Sequence, residues 1–168
     1  KSLGEKKKHD VDLAANNGVF LAILSYLFIL VFGLILSLFY FRMQTDIAEI
    51  IEGGEVYIRI CVVGSIGLFL QITVERLLQS TGKAVYSMIT QMTGAIINII
   101  FDPIFIFGLN MGVAGAAMAT IFGQTAAASL AFVFNKKKNH DIQMHLRDLK
   151  PHGESIVQIL KIGVPSVL

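Results

Sequence analysis

From Leu13 to Phe41 the chain carries no charged side chain, and about 20 apolar residues in helical form already cross the ~30 Å of hydrocarbon in a bilayer. Three more such runs follow. Val56 to Val74 is interrupted only by Arg59, Ala84 to Gly108 only by Asp102, and Val113 to Phe134 not at all. Hydrophobic residues make up 54% of the chain and charged residues 15%, with a mean hydropathy of +0.67. That balance is foreign to a soluble domain of this length. The expectation is an all-α, polytopic membrane helix bundle with spans at about 13–41, 56–76, 84–108 and 112–135. A polar loop at about 136–153 follows, and 154–168 reads as the start of a fifth helix.

Charge then argues about sidedness rather than partners. The net charge of +2 is small and the basic residues cluster outside the spans, so no nucleic-acid partner is expected. Lys1, Lys6, Lys7, Lys8, Arg76, Lys83, Lys136, Lys137, Lys138, Arg147 and Lys150 fall in loops on one side, and Arg42 alone on the other. Basic loops stay in the cytoplasm, which predicts a multi-pass protein of the cytoplasmic membrane with Asp102 in the outer half of the third span. The one cysteine, Cys61, sits inside an apolar run and reads as packing. The opening Lys1-Ser-Leu-Gly-Glu-Lys-Lys-Lys has neither an initiator Met nor the apolar core of a signal peptide, which reads as a start in mid-protein.

Within the third span, Gln91-Met-Thr-Gly-Ala-Ile-Ile-Asn98-Ile-Ile-Phe-Asp102-Pro103 sets an amide, a second amide and an acid in hydrocarbon. At 100° per residue, Gln91, Asn98 and Asp102 lie within roughly 40° of one another, with Gly94 and Ala95 leaving room on the same face. Pro103 has no N–H for the carbonyl of Ile99 and disfavours helical geometry at Asp102, so a kink or opening is expected beside the acid. A carboxylate in lipid is costly enough that it usually faces water, a cation or a partner inside the bundle. Asp102 and Asn98 offer the oxygen atoms that a proton or Na⁺ site needs.

Other polar positions carry less. Gln124 could face the same cavity as Asp102, although a hydrogen bond between helices is the default. Gly115, Ala119 and Gly123 stand at the small-xxx-small spacing that lets helices approach closely. Arg59, one turn from Glu55, can pair with it or snorkel. Asn16 and Asn17 read as hydrogen-bonding groups toward a neighbouring helix. Glu75, beside Arg76 and before a turn, reads as an interfacial anchor in preference to a second membrane carboxylate in a proton path. Arg42 to Glu55 reads as a short interfacial helix ended by Gly53-Gly54. His140, Asp141, His145 and His152 do not have the spacing of a closed metal site. With no nucleophile–base pair and no phosphate-cradling loop, the chain is not expected to be an enzyme.

Three segments resemble the multidrug and toxic compound extrusion (MATE) transporters: Arg76-Leu-Leu-Gln79-Ser-Thr-Gly82-Lys83, Asn98-Ile-Ile-Phe-Asp102-Pro103-Ile-Phe-Ile-Phe-Gly108, and Met111-Gly-Val-Ala-Gly115-Ala-Ala-Met-Ala119-Thr. The resemblance extends to the opening Leu3-Gly4-Glu5 and to Ile162-Gly-Val-Pro165. It implies that the spans are helices three to six of a twelve-helix, two-lobed transporter, with residues 1–153 in the amino-terminal lobe and 154–168 opening the carboxy-terminal one. It implies efflux of cationic or amphipathic compounds driven by H⁺ or Na⁺, with no other cofactor and with Asn98 and Asp102 in cation coupling. The expected partners are a small-molecule substrate, the lipid bilayer and the remaining helices of the same transporter. A lipid-linked precursor flippase and a non-transporting structural subunit are the alternatives. A flippase cavity would be lined by several cations, and Arg59 alone is available.

Overall fold

The computed structural model describes residues 8–139 and 153–163. The opening basic loop before Lys8, the loop histidines with Arg147 and Lys150, and the residues beyond Gly163 lie outside the described residues. Among the described residues six α-helices run in order: α1 (Lys8–Gln44), α2 (Ala48–Gly64), α3 (Ile66–Ser80), α4 (Ala84–Pro103), α5 (Gly112–Lys138) and α6 (Gly153–Gly163). A π turn, Ile104–Gly108, joins α4 to the loop before α5. Among the described residues, three helices are long and apolar enough to span a bilayer alone, and a bent pair, α2 with α3, passes the same test together. The chain is a polytopic helical membrane bundle.

The second span departs from a straight helix. It breaks between Gly64 and Ile66 and bends by 46°, where the Ser65 hydroxyl donates to the Val62 carbonyl at 2.8 Å. Serine bonded to its own helix backbone competes with the regular ladder and bends it. Upstream, Gly53-Gly54 does not end the acidic helix: α2 runs through both glycines without interruption. Two glycines cost roughly 2 kcal/mol of helix propensity, and at Gly54 the Phe41 ring sits where a Cβ would be. Arg59 forms an ion pair with Glu55 one turn away.

Many of the buried positions are small or polar. On α3 the inward residues are Gly67, Gln71, Val74, Glu75 and Leu78, and on α4 they are Ser87, Thr90 and Gly94. The large aliphatics of α1 and α4 point outward instead, Ile35 and Ile99 among them, as expected when lipid is as apolar as the interior. On α5 the buried face runs from Gly115 through Ala119, Gly123 and Ala127 to Ala131. A Cβ on Gly115 would come within 2.7 Å of the Phe105 backbone, and one on Gly123 within 2.6 Å of the Gly94 carbonyl. Backbone therefore meets backbone along the α4–α5 seam.

Pro103 stays within α4, and the helix opens just after it. The Leu109 N–H reaches back to the Ile104 carbonyl at 2.9 Å, and the Met111 N–H to that of Phe105 at 3.1 Å. Widening to a π turn gives the carbonyls of Ile104 and Phe105, just past the proline, backbone partners at the helix end. Asn110 and Gly112 then take positive φ, each 53°, which permits the short return into α5. At this end Gly53 lies against Val113. At the opposite end the Lys83 ammonium donates to Asn139 Oδ1 at 3.2 Å, which sets the α3–α4 turn beside the basic terminus of α5.

Candidate functional site

Five polar side chains converge between α3, α4 and α5: Gln71, Gln91, Asn98, Thr120 and Gln124 border one cavity of about 250 Å³. The glycines make it possible, because Gly94 and Gly123 bring α4 and α5 close and leave the long amides to fill the remaining space. Asn98 Nδ2 lies 3.5 Å from Thr120 Oγ1, a long hydrogen bond, and that hydroxyl donates to the Ala116 carbonyl at 3.0 Å. A second cavity of about 210 Å³ sits beside Cys61 and Ser65 at the α2–α3 break and shares Leu68, Thr120 and Gln124 with the first. Gln124 and Thr120 thus stand between two spaces. The wall of the larger one carries no cationic side chain among the described residues.

The polar face expected on α4 is divided by its neighbours. Gln91 and Asn98 border the cavity, whereas Asp102, one turn beyond Asn98, is half-buried and outside its wall. Asp102 makes no hydrogen bond or ion pair among the described residues, and its charge acts on the Tyr57 phenol of α2. Cys61 and Thr120 also lie near this phenol. Asp102 and Asn98 therefore share a neighbourhood built from α2, α4 and α5, with Thr120 bonded to Asn98 and close to Tyr57. Phe101, Phe105 and Phe122 close the flank as a ring cluster with centroids 5.3–5.6 Å apart. Pro103 lies at the end of α4 just beyond this group.

Glu75 is not the interfacial anchor that its neighbour Arg76 suggests. Its side chain is buried, with 4% exposure, and accepts hydrogen bonds from Gln71 Nε2 at 2.9 Å, Thr90 Oγ1 at 2.7 Å and Gln91 Nε2 at 2.9 Å. One residue is a 100° turn on a helix, so Arg76 faces outward and bonds Gln79 Oε1 at 2.9 Å while Glu75 faces the bundle. The spacing of Gln71, Val74, Glu75 and Leu78 held this signal, since it marks one stripe on α3. Thr120 and Tyr57 had no such sign in the sequence.

Comparison with known proteins adds an independent line. The MatE family model matches residues 1–104. The multidrug export protein MepA of Staphylococcus haemolyticus (strain JCSC1435) is 32% identical over 146 residues, covering 83% of this chain and 32% of that protein. MepA of Staphylococcus aureus (strain MSSA476) is 31% identical over 112 residues, 67% of this chain and 25% of that protein. The chain spans a third or less of the length of these curated relatives. Among solved structures, the outward-facing conformation of a multidrug resistance MATE family transporter of the MOP superfamily superposes with a TM-score of 0.88 at 27% identity, covering 98% of this chain and 37% of the other. A MOP superfamily transporter from Pyrococcus furiosus, for which reversed polarity of the binding pocket suggests a different function, gives a TM-score of 0.84 at 27% identity over 98% of this chain and 36% of its own.

Proposed function

This chain belongs to the MatE family, and from that we propose that it forms part of a cation-coupled antiporter that exports organic, mostly cationic compounds across the cytoplasmic membrane by alternating access. The observation that supports the coupling role is Asp102, a half-buried acid without a hydrogen bond or ion pair among the described residues, one turn from Asn98. A carboxylate so placed in a membrane bundle gains most from binding a cation. Exposure of this carboxylate to opposite sides of the membrane in turn would load and unload its cation. H⁺ and Na⁺ are the two coupling ions its oxygen atoms suit. The neutral amides Gln91 and Gln124 would line the adjoining space.

The flippase alternative fits the cavity less well, because an anionic lipid-linked head group calls for cations and Gln71, Gln91, Asn98, Thr120 and Gln124 are all uncharged. The deciding experiment reconstitutes the full-length polypeptide in liposomes and imposes H⁺ or Na⁺ gradients separately. Cationic drug should be exported under one of them. Asp102→Asn, which keeps shape and removes charge, should lower gradient-driven export by on the order of tenfold or more while expression stays normal, the size of a coupling free energy of about 1–3 kcal/mol. Unchanged ion dependence in that variant would return Asp102 to a purely structural role.

A further inference from the structure

Thr90 Oγ1 lies 2.7 Å from Glu75 Oε1 and also 2.7 Å from the Ser87 carbonyl oxygen. A hydroxyl has one hydrogen, so it cannot donate to both acceptors at once. Two arrangements satisfy the atoms. With Glu75 ionised, Thr90 donates to Oε1, and Gln71 and Gln91 complete the shell. With Glu75 protonated on Oε1, the carboxyl O–H donates to Thr90 Oγ1, and Thr90 turns its own hydrogen to the Ser87 carbonyl. Both forms of the acid are housed without moving a heavy atom. The same shell suits a metal ion poorly, since the two amides present N–H groups to the carboxylate.

We propose that Glu75 is a second, reversible proton-binding site, set at the basic end of the bundle and opening through Gln71 and Gln91 to the cavity that Asn98 borders. Thr90 and Asp102 are separated along α4 by about 18 Å at 1.5 Å per residue, so the two acids sit toward opposite ends of one polar track. The track continues from Glu75 toward the surface: Gln79 Nε2 donates to Ser87 Oγ at 2.8 Å, and the exposed Arg76 donates to Gln79. The charged and titratable groups on the surrounding elements are otherwise engaged or distant. Lys83 donates to Asn139, Tyr86 of α4 packs on Phe134, Asp12 of α1 has its own contact, Lys136 to Lys138 of α5 are exposed, and Glu55 of α2 pairs with Arg59. None of them forms an ion pair with Glu75 among the described residues. The use of this site in transport rests on the efflux reading above; its titration does not.

Infrared difference spectra of the full-length protein in liposomes, stepped through pH, read the carboxylic C=O band directly. The wild type should show a component that Glu75→Gln removes and Asp102→Asn retains. Thr90→Val, which keeps the carboxyl but takes away the hydroxyl its O–H would donate to, should shift the C=O frequency of that component, whereas Thr90→Ser should leave it in place. A folded Glu75→Gln protein with the wild-type band overturns the proposal. If that variant does not fold, an unmoved band in Thr90→Val overturns it equally. Failure of drug export in the wild type would refute the efflux reading while leaving these spectra decisive for Glu75.

Discussion

Thr120 shows how much of the candidate site depends on a single unremarkable side chain. Its hydroxyl accepts from Asn98 and donates to the Ala116 carbonyl, and it borders both cavities. Thr120→Val keeps the volume close and removes the acceptor, leaving the Asn98 amide short of a partner at a cost of about 1–3 kcal/mol. The expected result in liposomes is a several-fold weaker ion dependence of export with normal expression. Asn98→Ala should be milder than Asp102→Asn, because it removes a neutral ligand and leaves the charge. An Asn98→Ala protein more impaired than Asp102→Asn would reverse the roles assigned to the two residues. Gln124 and Gln91, by contrast, are tied to the shape of the space, and Gln91 to Glu75.

At the scale of elements, the α4–α5 seam is where sequence and packing agree most closely. Small-residue spacing on α5 marks Gly115, Ala119 and Gly123, and the neighbour turns out to be backbone, the Phe105 carbon at 2.7 Å for Gly115 and the Gly94 carbonyl at 2.6 Å for Gly123. Backbone cannot rotate away as a side-chain tip can. Gly123→Leu should therefore force the helices apart and cost on the order of 3 kcal/mol or more, read as a lower unfolding temperature in detergent. Gly108→Ala is the matched control, since its Cβ would meet only Ile104 Cγ2 at 4.0 Å, and its unfolding temperature should stay within the error of the wild type. Equal losses at the two positions would remove close approach from the explanation. The bend between α2 and α3 belongs to the same scale. It gives the second cavity its wall at Ser65.

For the whole molecule, the charged residues divide between two ends. Arg76, Lys83 and Lys136 to Lys138 collect where Lys83 meets Asn139, and Asp46, Glu49 and Glu52 lie at the end where Gly53 meets Val113. Basic loops are retained in the cytoplasm, which predicts opposite sidedness for the two ends. In a Cys61→Ala background, a cysteine at position 52 should label from outside intact cells and one at position 137 only after permeabilisation. Labelling of both from the same side would refute the four-span arrangement. With this orientation Asp102 lies toward the outside and Glu75 toward the cytoplasm.

What the residues determine by themselves is set by hydropathy and by the 100° step of the helix. The uncharged run from Leu13 to Phe41 demands a membrane whatever surrounds it, Pro103 must disturb the hydrogen-bond ladder, and Gln91, Asn98 and Asp102 must share a side of α4. Those are properties of one helix and need no neighbour. The continuation of α2 through Gly53-Gly54 and the burial of Glu75 were decided by contacts between helices. Arg76 beside it in sequence suggests water; α4 packed on α3 supplies Thr90 and Gln91 and makes the interior the better solvent for that carboxyl. Likewise Asn98 and Asp102 share a face, yet only the approach of α5 at Gly94 and Gly123 puts Asn98 in the cavity wall and leaves Asp102 outside it. Periodicity says which way a side chain points, and the packed bundle alone says what it meets there.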